Sequence, residues 1–200
     1  MKKETYIYIL AVLTFCFIIL YSILTKTFYY IADSLISIII LTILFLSYRH
    51  FNLNKTIFIL LSLSMLLHNF GVFGFYSESP FQFSYDKLTH FVGGFALAVF
   101  FLNYIKTFFK KSKIEKTILI LIAILAALGI GSIIELSEYL GYLFLGQGEG
   151  FLYFGGTGDL TGNYNLGGAW INSSVDMIFN LVGSFAGLVA YFVYEKFKKP

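Results

Sequence analysis

Three short patterns carry most of the polar chemistry of this chain. Asp86 and His90 stand four residues apart, Glu135 and Glu138 three apart, and Asp176 and Asn180 four apart. On a helix each spacing puts both side chains on one face, so each pair offers two polar groups to the same neighbour. Carboxylates beside an imidazole suit a divalent metal such as Mg²⁺, Mn²⁺ or Zn²⁺, or general acid–base work. Asp86, His90, Glu135, Glu138 and Asp176 are therefore the candidate catalytic groups and, equally, the candidate metal ligands. Lys87, Asn180, His68 and Asp33 are candidates for holding a ligand beside them. Neither HExxH nor CxxC is present to select a metal.

The elements that position these residues are membrane spans. The sequence is 58% hydrophobic and only 12% charged, against roughly 25% charged in soluble domains. One integral membrane domain over residues 1–200 is expected, all-α, held together by helix packing in lipid. Six apolar segments approach the roughly 20 residues a bilayer crossing needs, at about 6–24, 28–48, 57–75, 87–105, 117–139 and 175–194. The first is read as a retained helix, not a cleaved signal, because no small-residue cleavage site follows it. Thr25–Thr27 reads as a tight turn joining the first two spans in an antiparallel hairpin. Cys16, the single cysteine, reads as a small packing residue.

Basic residues set the orientation. Twelve of the 14 lysines and arginines fall at the two termini and in the second and fourth connections; only Lys26 and Lys87 fall elsewhere. Both termini are thus expected on the cytoplasmic side. The same assignment collects Asp33, His68, Asp86, His90, Glu135, Glu138, Asp176 and Asn180 in the outer half of the bundle. The fifth connection, 146–174, holds nine glycines, two acids and no base. It reads as a lid or binding loop, or as a loop whose aromatics sit at headgroup level. Asp159–Asn163 only half resembles a calcium loop, since the glycine and final glutamate are missing. A net charge of +3 gives no footing for nucleic acid; membrane lipids and a lipid-linked ligand are the expected partners.

Local electrostatics divides the acids. Asp33, Asp86 and Asp176 fall at or near the expected starts of their helices, where backbone amides and the macrodipole favour a carboxylate. That alone accounts for them as structural groups. His68 and Asn180 likewise fit interhelical hydrogen bonding. Glu135 and Glu138 fall near the expected end of an outward-running helix, where the dipole opposes them, and they repel each other. A carboxylate in such a span costs about 2.5–3.5 kcal/mol on insertion scales, so protons, Lys87 or a metal should offset this pair. Gly94 and Ala98 on the fourth span, and Gly183 and Gly187 on the sixth, permit close helix contact. Gly129 and Gly131 allow a bend in the fifth.

Taken in order, Tyr85-Asp86-Lys87-Leu88-Thr89-His90-Phe91, Glu135-x-x-Glu138 and Asp176-Met177-x-x-Asn180-x-x-Gly183 resemble the YjdF-like inner-membrane family, which shows YDxxxHF, ExxE and DMxxNxxG. More distantly they are similar to VanZ-like membrane proteins. The likeness covers Tyr85 to Gly187, about half the chain. The Gly158-Asp159 pair looks like the GD that precedes the last helix of YjdF-like proteins, although the gap to Asp176 is longer here and Trp-Asp is missing. The resemblance implies a multi-pass protein of the plasma (inner) membrane, with Asp86, His90, Glu135, Glu138, Asp176 and Asn180 as its polar signature. It implies a cell-envelope role and no defined reaction. Three readings stay open: an outer-leaflet site that binds or processes a lipid or lipid-linked ligand, a proton- or cation-coupled transporter or channel, and a non-catalytic protein whose polar cluster is packing glue.

Overall fold

Both prolines, Pro80 and Pro200, fall outside every apolar run, so nothing interrupts the backbone hydrogen bonding that a chain in lipid must complete within itself. The computed structural model describes residues 3–76, 79, 80, 82–109, 115–145 and 166–198. They form α1 (Lys3–Thr25), α2 (Tyr29–Leu46), α3 (Lys55–Asn69) continued by a 3-10 turn (Phe70–Phe73), α4 (Tyr85–Phe108), α5 (Lys116–Leu145) and α6 (Leu166–Lys198), with no strand among the described residues. Five of these stretches, α3 taken with its 3-10 turn, are long and apolar enough to cross a membrane. The other, α2, is apolar but has 18 residues, about 27 Å of helix against a hydrocarbon core of about 30 Å.

The α1–α2 hairpin forms as expected. Lys26 takes a left-handed conformation, φ 61°, and Thr27 N–H donates to Ser22 O at 2.9 Å, closing the end of α1 with the bond that marks a Schellman turn. Tyr8 stacks on Phe45 at 4.4 Å and shares a 3.0 Å hydrogen bond with Thr42. An early residue of α1 thus meets late residues of α2. Asn54 caps α3 by accepting from Ile57 N–H at 3.0 Å, which supplies one of the amides a helix start leaves unpaired. Gly74, at φ 86°, ends the 3-10 turn.

Burial runs opposite to a soluble protein. Ile171, Ile178, Val182, Phe185 and Val189 expose one face of α6, and Leu10, Leu13, Phe17 and Leu24 expose one face of α1. Asp33, Asn69, Glu135, Asp176 and Ser184 are buried. Lipid supplies the apolar partner for the first set, and other helices must supply polar partners for the second. Cys16 lies on the exposed face of α1 and not in its packing seam.

Two apolar clusters share α4. Phe15, Ile18, Leu41, Phe58, Leu61 and Phe100 fill one, between α1, α2, α3 and α4. Ala98, Leu102, Ala123, Ala127 and Leu188 fill the other, between α4, α5 and α6. The α4–α6 contact is tightest. A Cβ on Gly94 would run into the backbone carbonyl of Asn180, and one on Gly183 into that of Phe91. Ser184 Oγ adds 2.8 Å to Asn180 O and 3.3 Å to Gly94 O. The close contact expected between these helices is present. Gly131 answers to packing too: its missing side chain leaves room for Asn180 Nδ2.

Two helix boundaries differ from expectation, with electrostatic consequences. Helix α5 continues to Leu145 and α6 begins at Leu166, so 166–174 is helix where a loop was expected. Trp170, in the early part of α6 where a loop was expected, meets Tyr139 of α5 edge-on at 6.2 Å, so this stretch of α6 packs against α5. The remainder of the expected glycine-rich loop, including Asp159, lies outside the described residues, as do Lys2, Lys110, Lys111, Lys113 and Lys199. Asp176 therefore sits ten residues inside α6, and Asp33 lies beyond the first turn of α2. Macrodipole stabilisation fades within one turn, so it accounts for Asp86 alone. Glu135 and Glu138 likewise precede the last turn of α5, and the dipole no longer opposes them strongly.

Candidate functional site

The α4–α6 glycine seam brings Asp86, His90, Asp176 and Asn180 face to face, and α5 lays Glu135 against them. His90 is the hub. Its Nε2 lies 3.1 Å from Asp86 Oδ1 and its Nδ1 lies 3.1 Å from Glu135 Oε1. Asn180 Nδ2 approaches the same Nδ1 at 3.4 Å. Asp86, His90 and Asp176 each place one ligand-type atom within 4.8 Å of the others, and so do His90, Glu135 and Glu138. The five residues expected as metal ligands thus form two triads that share one imidazole.

Asp176 is the costly member. It is fully buried, and among the described residues its carboxylate oxygens meet no donor other than a proton shared with Asp86. Burying an ionised carboxylate without a partner is prohibitive, and Asp86 beside it is a second negative charge. Lys87 forms no ion pair among the described residues, so this lysine does not offset the cluster. Four carboxylates against one imidazole leave a proton or a cation as the balancing charge.

A second polar group forms between α2, α3 and the segment after the 3-10 turn. His68 Nε2 faces Asp33 Oδ2 at 3.4 Å, and His68 Nδ1 faces Tyr76 Oη at 2.8 Å. For a neutral imidazole this fixes the tautomer. Nε2–H donates to the carboxylate, which can only accept, and Nδ1 accepts from the phenol. Burial, then the nearby charge of Asp86, push the Tyr76 phenol well above its ordinary value, so Tyr76 keeps its proton as a donor. Asn69 ties the same helices together. Its Oδ1 accepts from Ser34 Oγ at 2.8 Å, and its Nδ2 reaches Ser37 Oγ at 3.0 Å and Met65 O at 2.9 Å.

Asp33 and His68 are thus joined to each other, with Asp86 close enough to Tyr76 to act on it electrostatically. Sequence reasoning missed Tyr76. Its only signal is Gly71, whose missing side chain leaves room for the Tyr76 ring, and a tyrosine in a short aromatic connection between spans has no periodicity to mark it.

The sequence profile of a family described as predicted membrane protein (DUF2238) matches residues 5–197. The YjdF-like resemblance is consistent with that family. Neither the curated proteins nor the solved structures contain a match. Matched over nearly its whole length, and built of apolar helices packed around polar groups, the chain belongs to the DUF2238 family of predicted multi-pass membrane proteins.

Proposed function

We propose that this protein holds one divalent cation between α4 and α6 and uses it to bind or process a lipid or lipid-linked ligand in the plasma membrane, with both termini cytoplasmic and the site toward the outer leaflet. The fully buried carboxylate of Asp176, which has no ion pair among the described residues and faces a second carboxyl, carries the reading. A neutral imidazole has a single lone pair, so His90 serves a metal through only one nitrogen. Coordination through Nε2 with Asp86 and Asp176 neutralises the two carboxylates that face each other. It also leaves Nδ1–H to donate to Glu135, the carboxylate–histidine–metal arrangement common around bound metals. Glu135 is then a positioning residue, and Glu138, one turn further, supplies the general base. Asn180, at His90, and the neighbouring Asp33–His68 pair are then ligand-holding groups, with Lys87 on the same helix as Asp86 and His90. A bound cation would polarise a phosphoryl or carbonyl oxygen of the headgroup.

The motif likeness to VanZ-like proteins supports a role in the cell envelope. Proton- or cation-coupled transport is a second reading, favoured by the Asp33–His68–Tyr76 chain beside Asp86. Metal analysis of protein purified in detergent tests the first. The wild type should carry about one ion per chain. Asp176→Asn and His90→Ala should carry none, and Glu135→Gln should bind roughly 10–100-fold more weakly. Wild-type protein that takes up no divalent metal, and whose stability is indifferent to chelator, refutes the cation site.

A further inference from the structure

The opposite end of the α4–α6 bundle carries a second charged feature, independent of the carboxylate cluster. Lys106 stands in the last turn of α4 and Lys116 is the first residue of α5. Both ammonium groups converge on an adjoining pair of α6 rings. Lys106 Nζ lies 4.4 Å from the Tyr191 ring centroid and 5.5 Å from that of Phe192, and Lys116 Nζ lies 3.8 Å from that of Phe192. The two rings are perpendicular, 5.7 Å apart. Lys106 Nζ also donates to Tyr191 Oη at 3.2 Å.

Ring faces attract cations, but they carry no net charge, and two lysines gathered on one ring pair repel each other. Glu195 is near enough to attract Lys106, yet neither lysine has an ion pair among the described residues. Each ammonium has three N–H donors, and among the described residues Tyr191 Oη is the one hydrogen-bond acceptor they reach. The arrangement suits an anion with several acceptor oxygens at the edge of an apolar surface.

We propose that Lys106, Lys116 and Tyr191 form a binding site for a phosphate group, that of an anionic phospholipid headgroup or free phosphate. The ammoniums and the phenol hydroxyl take the phosphate oxygens. The faces of Tyr191 and Phe192 would lie against a lipid's glycerol and upper acyl chain, as aromatic rings do at membrane interfaces. The positive-inside distribution puts this end in the cytoplasmic leaflet, where anionic lipids attract basic residues.

Native mass spectrometry of the full chain released from detergent, with added phosphatidylglycerol or phosphatidylcholine, tests the site. Two lysines, each worth roughly fivefold near an anionic surface, predict a roughly 30-fold preference for phosphatidylglycerol. Lys106→Gln/Lys116→Gln should lose it, Lys106→Arg/Lys116→Arg should restore it, and Lys26→Gln, on the α1–α2 turn, should leave it intact. Displacement of phosphatidylglycerol by millimolar inorganic phosphate supports the site with free phosphate as its occupant; no displacement supports the lipid. An unchanged preference in the double glutamine variant, or no preference in the wild type, overturns the proposal.

Discussion

Gly93 and Gly94 are neighbours on α4 with opposite surroundings, and alanine at each should behave differently. A Cβ on Gly93 meets nothing within 4 Å, whereas one on Gly94 meets the backbone of Asn180. Backbone cannot rotate away as a side-chain tip can, so the helices themselves must part. The size of that movement can be read one turn or so along the seam. A Cβ on Gly187 would stand 2.5 Å from Phe95 O, while non-bonded contacts settle near ~3.5 Å, so the seam must open by about 1 Å. Gly94 and Gly183 meet the facing chain more closely still. Overpacking of this kind costs about 1–3 kcal/mol. The gain in helix propensity on replacing glycine, up to about 1 kcal/mol, is common to both variants and cancels. The difference between Gly93→Ala and Gly94→Ala therefore reports the clash alone, roughly 5- to 150-fold in the folded-to-unfolded ratio. Reversible unfolding in mixed detergent micelles measures it. Because Asp86 and His90 face Asp176 and Asn180 across the same seam, Gly94→Ala should also weaken metal retention, and Gly93→Ala should not. Equal stabilities for the two variants would refute the packing account of α4 and α6.

Asp176→Asn keeps the shape of the carboxyl but cannot bind a cation, so it should leave the unfolding temperature of chelator-treated protein nearly unchanged while abolishing the rise that metal gives the wild type; thermal scans with and without chelator check both. Asn69→Ala strips two hydrogen bonds that join α2 to α3 and a third within α3 and leaves Ser34 and Ser37 buried, and unfolding titrations should show a loss of about 1–3 kcal/mol. Tyr76→Phe removes the donor to His68 Nδ1 and should cost about 1 kcal/mol. It should also move the His68 Nδ1 resonance in a ¹⁵N spectrum, whereas an unmoved resonance would deny that hydrogen bond. Gly71→Ala should displace the Tyr76 ring and produce the same spectral change.

The class of protein was legible from composition, because a chain that is 58% hydrophobic with few charges has no soluble way to bury itself. Helices were legible because lipid admits no other arrangement for continuous apolar runs without strands. The polar residues were legible for the same reason: Asp86, His90, Glu135, Asp176 and Asn180 stand out against such a background. Helix ends were not. Glycines and polar residues ahead of Val175 read as loop, but α6 starts at Leu166, and that extension removes the end-of-helix explanation for Asp176.

Partnerships lay further out of reach. The sequence placed Asp86, His90, Glu135 and Asp176 in one half of a bundle, since depth follows from counting residues along a helix. It could not show that His90 turns one nitrogen to Asp86 and the other to Glu135, or that Lys87 stays out of the cluster. Those facts depend on the rotation of each helix about its axis, which is decided where Gly94 and Gly183 let two backbones touch. A spacing of three or four residues names a face; only packing against the other helices decides what that face meets.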